Sequence, residues 1–196
     1  MLEFLDEIDR AVFLVLNSWH SNTMDHIMYW ITNRPIWTPF YIAIALFIIY
    51  KYKGKALYPI ATLLLAILLI DQVTSGFMKP FFGRLRPCYH PEIAHLVHLV
   101  KGCKAQFGFV SSHAANTFGL AYFFFKLFKG KLKYPGILFI WSTIITYSRI
   151  YVGVHYPGDV IFGALTGVLI AHLMFMLYKL IDQKYPLNLM PSAKGS

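Results

Sequence analysis

Three short stretches hold most of the side chains in this chain that could do chemistry. Lys79-Pro80-Phe81-Phe82-Gly83-Arg84-Leu85-Arg86-Pro87 sets three cations within eight positions. A guanidinium offers a planar fork matched to phosphate oxygens and an ammonium a point charge, while the two prolines limit how the segment relaxes, so anion binding suits it. Gly108-Phe109-Val110-Ser111-Ser112-His113-Ala114 places two hydroxyls and an imidazole at what reads as a helix start. Ser111 or Ser112 can cap that helix, and its free backbone N–H groups and dipole form a ready anion site. Ser-Ser-His at a helix start also serves as an ordinary cap. The third stretch, Ser148 to Asp159, gathers Arg149, His155 and Asp159 between two apolar segments. Tyr156-Pro157-Gly158 interrupts regular helical pairing of His155 with Asp159 yet lets the carboxylate fold back toward the imidazole. A carboxylate on one ring nitrogen fixes the tautomer and makes the other nitrogen a better nucleophile. An interfacial anchor with a capped helix is the bland alternative for this stretch. Together the stretches supply two histidines, an orienting carboxylate, cations and hydroxyls, which suits phosphoryl transfer: positioning, charge stabilisation, a nucleophile and a proton donor.

The elements that must position these groups are membrane helices. Of 196 residues 57% are hydrophobic and 14% charged, more apolar surface than one soluble core of this size could hide. Apolar runs approach the roughly 20 residues needed to cross about 30 Å of hydrocarbon. Spans are expected at about 36–50, 56–76, 108–128, 135–150 and 158–179, bounded by Pro, Gly or Lys. Residues 2–16 carry Leu2, Leu5, Ile8, Val12 and Val15 at helical spacing among Glu3, Asp6, Glu7, Asp9 and Arg10. This predicts an amphipathic helix lying on the membrane, with a sixth span in that region as the alternative. Met1 to Arg10 is acidic where a cleavable signal needs a basic start, so the spans are expected to do the targeting. The reading is an all-α polytopic transmembrane bundle of one domain: interfacial helices over 1–33, a catalytic core over 36–180 and a polar tail over 185–196. Trp30, Trp37, Tyr41, Tyr50, Tyr52 and Tyr58 suit an aromatic belt, and Phe123, Phe124, Phe125 and Phe128 are expected to face lipid.

Charge orients the bundle. If spans alternate, Lys51, Lys53, Lys55, Lys129, Lys131, Lys133 and Lys184 share one face, which the positive-inside rule makes cytoplasmic. The three reactive stretches then fall together on the extracytoplasmic side. A net charge of +9 is assigned to these loops and to anionic headgroups rather than to nucleic acid. Cys88 and Cys103 share one extracytoplasmic loop, where oxidising conditions favour a disulfide over two free thiols. His90, His95 and His98 in that loop are irregularly spaced. With no dense carboxylate cluster and no Cys/His ligand spacing, no metal or other cofactor is expected.

Lys79 to Arg86-Pro87, Ser111-Ser112-His113, and Ser148-Arg149 with His155 and Asp159 resemble the three-part signature of the type 2 phosphatidic acid phosphatase and vanadium haloperoxidase superfamily, in its bacterial membrane lipid phosphatase branch. The motifs span residues 79 to 159. One departure is visible: the usual Pro-Ser-Gly-His reads Val110-Ser111-Ser112-His113 here, which adds a side chain to the phosphate loop and leaves the histidine in register. The resemblance implies that His155 attacks phosphorus to give a phosphohistidine, with Asp159 orienting it and His113 protonating the leaving oxygen. It implies that Lys79, Arg86, Ser111, Ser112 and Arg149 hold the phosphoryl oxygens. Arg84 lies between the family's positions and is assigned a possible headgroup contact. The implied protein is a metal-independent lipid phosphatase of the bacterial inner membrane with an extracytoplasmic site, its partners being the bilayer and a lipid phosphate. Phosphatidylglycerophosphate, undecaprenyl diphosphate, phosphatidate and lipid A phosphate are the candidate substrates. A phosphotransferase using the same site, or a phospholipid binder without turnover, is the alternative.

Overall fold

The computed structural model describes residues 2–184; the polar tail over 185–196 lies outside the described residues. The regular elements of the described chain are all helical, its one β-contact an isolated bridge between Leu85 and Phe107. Helices α1 (Leu2–Ser18) and α2 (Asn22–Ile31) precede a 3₁₀ turn, Arg34–Trp37, that leads into α3 (Thr38–Tyr52). Then α4 (Leu57–Asp71) passes through a π-helical stretch, Gln72–Met78, into α5 (Lys79–Phe82). A long loop follows, and α6 (Ser112–Phe128), α7 (Ile137–Tyr151) and α8 (Pro157–Lys184) complete the chain.

Three continuous helices, Arg34–Lys55, Leu57–Phe82 and Pro157–Gln183, are long and apolar enough to cross a membrane, and Ile137–Tyr151 is a shorter apolar one. Their outward faces carry exposed Leu64, Leu68, Ile140, Ile161, Leu165 and Leu169, as lipid-facing surfaces do when the bilayer is the solvent.

Two expected boundaries move. The second apolar helix continues to Phe82 rather than ending near 76, so Lys79 stands within a helix and not in a loop after it. The third starts at Ser112 rather than 108, because the Ser111 hydroxyl accepts from the Ala114 N–H and its backbone is extended. The phenylalanines of α6 also depart from expectation. Phe123, Phe124 and Phe128 are buried against Ile48, Tyr52, Phe175 and Tyr178. α6 is enclosed by α4, α7 and α8, so Phe123, Phe124 and Phe128 fill the core instead of meeting lipid, while Phe125 is half-buried.

Small residues decide how closely α6 meets α8. A Cβ at Gly163 would fall 2.5 Å from the Ser111 carbonyl oxygen, and one at Gly167 would overlap the Ala115 carbonyl. Such close backbone approach is how apolar helices gain packing in a membrane, where burial alone drives nothing. It also brings the start of α6 beside the start of α8: the Ser111 N–H donates to the Asp159 carbonyl at 2.9 Å. The second and third reactive stretches are thereby locked together.

Candidate active site

His155 and Asp159 are 1% and 0% exposed, on the turn into α8 and in its first helical turn. Pro157 occupies the first helical position, where its missing N–H costs nothing. The helix start then carries the Asp159 carboxylate back over the turn. His155 Nδ1 lies 3.2 Å from Asp159 Oδ2, which also accepts the Tyr156 N–H at 3.1 Å. With Nδ1 donating to the carboxylate, Nε2 keeps the ring's free lone pair. Burial, and then the nearby cations Arg86, Arg149, Lys79 and Arg84, hold the His155 imidazole well below its ordinary pKa. A neutral imidazole is the form that can act as a nucleophile.

Cations and hydroxyls converge from the helix over 57–82, the loop after it, α6 and α7. Lys79 Nζ donates to Ser112 Oγ at 2.8 Å, and the Thr74 and Ser75 hydroxyls meet the same oxygen at 2.9 and 2.8 Å. The π-helical stretch supplies Thr74 and Ser75, a use consistent with the frequency of such segments at functional sites. Arg86 is fixed by the Phe107 and Val154 carbonyls at 3.1 and 3.4 Å, and desolvation lowers its pKa. Arg149 donates through Nη1 to Thr32 Oγ1, while its buried Nε has no hydrogen-bond partner among the described residues. A buried guanidinium N–H left unpaired is expensive unless an anion meets it. The Ser111 hydroxyl caps α6 through the Ala114 N–H at 3.5 Å.

Arg84, given a possible headgroup contact from sequence, is paired within the fold. Its Nη1 donates to Asp159 Oδ1 at 2.8 Å, its Nη2 pairs with Asp6 and Asp9 at 2.7 and 2.8 Å, and the guanidinium lies 4.2 Å from the Tyr156 ring. Three carboxylates occupy it, so it braces the back of the histidine–aspartate pair. Those carboxylates raise its pKa against the pull of burial.

Sequence reasoning passed over four contributors from the first 34 residues. Arg34 Nε donates to His113 Nε2 at 3.2 Å, and its Nη2 lies 3.4 Å from His113 Nδ1. Thr32 holds Arg149, and Asp6 and Asp9 hold Arg84. The acidic face of α1 was visible as amphipathicity, but nothing local tied it to residues 75 or more positions away.

The long loop is fastened to the site. Arg86 N–H donates to the Gln106 carbonyl at 3.0 Å and Gly108 N–H to the Arg84 carbonyl at 2.8 Å. Cys88 and Cys103 are joined as a disulfide that closes the outer part of the loop. His98 and His90 serve structure there: His98 stacks on His20 and meets Asp25, and His90 meets Arg10.

A cavity of about 400 Å³ opens beside His113. Arg34 and His113 form its polar end, and Tyr41, Ile44, Ile48, Leu63, Ile67 and Leu120 line its apolar length between α3, α4 and α6. That volume falls in the range of small-ligand sites.

A model of the PAP2 superfamily matches residues 59–182. Lipid A 4'-phosphatase of Bacteroides thetaiotaomicron is 40% identical over 171 residues, covering 85% of this chain and 75% of the relative. Lipid A 4'-phosphatase of Porphyromonas gingivalis is 36% identical over 181 residues, covering 90% and 75%. Among solved structures, Aquifex aeolicus LpxE superposes with a TM-score of 0.63 at 25% identity, covering 85% of this chain and 93% of that one.

Proposed function

The chain belongs to the PAP2 superfamily, and from that premise we propose that it is an integral membrane lipid phosphatase working through a phosphohistidine at His155. The buried pairing of His155 Nδ1 with Asp159, among cations that include an unpartnered Arg149 Nε, carries the reading. His155 Nε2 attacks phosphorus in line, and the bond from phosphorus to the lipid oxygen breaks. His113, carrying the proton it takes up once the phosphate replaces it as the partner of Arg34, hands that proton to the lipid oxygen. Neutral again, His113 takes a proton from water as the water attacks the phosphohistidine, which releases phosphate and frees His155. Lys79, Arg86, Arg149 and the hydroxyl of Ser112 stabilise the equatorial oxygens, where charge spreads in the transition state. Ser111 acts through its place at the start of α6.

The lipid oxygen faces His113, so the apolar cavity beside His113 takes the lipid's hydrocarbon. The substrate reaches it sideways from the bilayer between α3 and α4. The helices starting at residues 38, 57, 112, 137 and 157 cross the membrane, and α1 and α2 lie at its surface over the site. Lys51, Lys53, Lys55, Lys129, Lys131 and Lys133 mark the opposite, cytoplasmic end, which leaves the site extracytoplasmic at a bacterial inner membrane. Among the four candidate substrates, a lipid A phosphate is supported best, because relatives named for that activity align over 85 to 90% of this chain.

Phosphate release from a panel of lipid phosphates, in detergent with EDTA, tests this. The unsubstituted protein should release phosphate and His155→Ala should not. Release by both would remove His155 from the mechanism, and transfer of the phosphoryl group to an added acceptor in place of water would make the protein a transferase.

A further inference from the structure

The wall of the apolar cavity carries one group that hydrocarbon does not satisfy. Asn116 lines the cavity on the same face of α6 as His113, Thr117 and Leu120. Its Oδ1 is buried and has no hydrogen-bond partner among the described residues. The neighbouring Thr117 hydroxyl is already turned onto the backbone of its own helix, toward the His113 and Ala114 carbonyls at 2.9 and 3.3 Å. A buried amide oxygen left unpaired at the wall of an apolar cavity is costly, and a leucine there would fill similar space at no such cost. The amide is intelligible if a donor arrives with the substrate.

We infer that Asn116 is a specificity residue that accepts a hydrogen bond from a hydroxyl or amide N–H on the lipid itself, close to the phosphate it loses. This rests on the phosphatase reading for where the lipid lies. Residues three apart on a helix hold their Cβ atoms about 5–6 Å from each other. His113 meets the leaving oxygen, so Asn116 meets an atom about two or three bonds further into the lipid. Phosphatidate, its other two glycerol oxygens both esterified, has no donor there, but phosphatidylglycerophosphate and amino-alcohol phosphates carry one at that distance. A prenyl chain, hydrocarbon from its first carbon, does not. Asn116 therefore selects phosphorylated lipids with a free hydroxyl or N–H beside the phosphate over phosphatidate and polyprenyl phosphates, because a site built to pair a hydroxyl discriminates strongly against the analogue that lacks it.

Two probes differing by one hydroxyl, octadecyl phosphate and 2-hydroxyoctadecyl phosphate, isolate the effect. Their dissociation constants are measured on His155→Ala in detergent, where turnover cannot intervene. The hydroxylated lipid should bind about tenfold more tightly, and in His155→Ala/Asn116→Leu the ratio should fall to within about twofold of one. Because each preparation supplies its own ratio, partial misfolding does not imitate the result. A ratio near one before the leucine is introduced, or a preference that survives it, would overturn the inference. If the unsubstituted protein releases phosphate from neither probe, the phosphatase reading fails, and the binding ratios still decide what Asn116 does.

Discussion

Asp9 Oδ1 accepts the backbone N–H of Gly158 at 2.7 Å, across 149 positions of sequence. Gly158 precedes Asp159, so a side chain from the first helix caps the helix that carries the orienting carboxylate. Asp9 Oδ2 also holds Arg84, whose other arm reaches Asp159. α1 is thus a brace for the histidine–aspartate pair as well as a surface helix.

Removing that brace should be felt at both levels. Asp9→Ala is expected to lower stability by about 1–2 kcal/mol, the usual scale of a lost cap, and to reduce kcat more than substrate affinity. Asp9→Asn, which keeps an oxygen for Gly158, should fall between. Thermal unfolding in detergent, set beside the exposed control Glu3→Ala, reads the difference; an Asp9→Ala protein no less stable than that control would dismiss the brace.

Arg149 is predicted to resist conservative replacement. Nη1 is engaged with Thr32 while Nε stays buried and unpaired, so the fork is fixed for an oxyanion. A lysine there supplies charge without the fork. Arg149→Lys should lose about 10²-fold in kcat/KM, roughly 2.7 kcal/mol of transition-state stabilisation. Near-full activity in that variant would show that Arg149 contributes charge alone.

The state of His155 makes a prediction about pH. Burial and the cations around it keep the folded imidazole neutral well below 6.5. As pH falls through 6.5 the unfolded chain takes up this proton and the folded one does not. The group's contribution therefore favours the folded state least on the acid side, with stability declining by up to about 1.4 kcal/mol per pH unit below 6.5. His155→Asn removes the titrating group, so its stability should fall less steeply between pH 6.5 and 5 than that of the unsubstituted protein. Parallel slopes would mean that His155 takes up its proton in the fold as readily as in the unfolded chain.

The disulfide joins positions 15 apart in the loop whose two ends carry Arg84, Arg86 and Gly108. Closing a loop of that size is worth about 3 kcal/mol in the chain-entropy account. Cys88→Ser/Cys103→Ser should lose stability on that scale and lower kcat/KM through a less fixed Arg86. Indistinguishable melting curves for the two forms would mean that the loop's backbone hydrogen bonds suffice.

What the sequence made legible follows from distance along the chain. Lys79, Arg86, Ser112, His113, Arg149, His155 and Asp159 stand in short local patterns whose chemistry can be read without knowing the fold. Arg34 meets His113 from 79 positions away, and Thr32 meets Arg149 from 117; each reads locally as an ordinary residue near a membrane surface. The misread phenylalanines of α6 have a related cause. A helix apolar all round can face lipid or fill a bundle core, and only its neighbours, α4, α7 and α8, decide which. The partners of Arg84, which are Asp6, Asp9 and Asp159, could not be read locally because they come from opposite ends of the chain.

The covalent intermediate gives the most direct test. The unsubstituted protein is mixed with a substrate from the lipid phosphate panel, quenched in base within milliseconds and digested, and its peptides are examined by mass spectrometry. A base-stable, acid-labile phosphoryl group on the peptide containing His155, absent from His155→Ala, is the expected result. Phosphate released with no such adduct, or an adduct on another residue, would contradict the account.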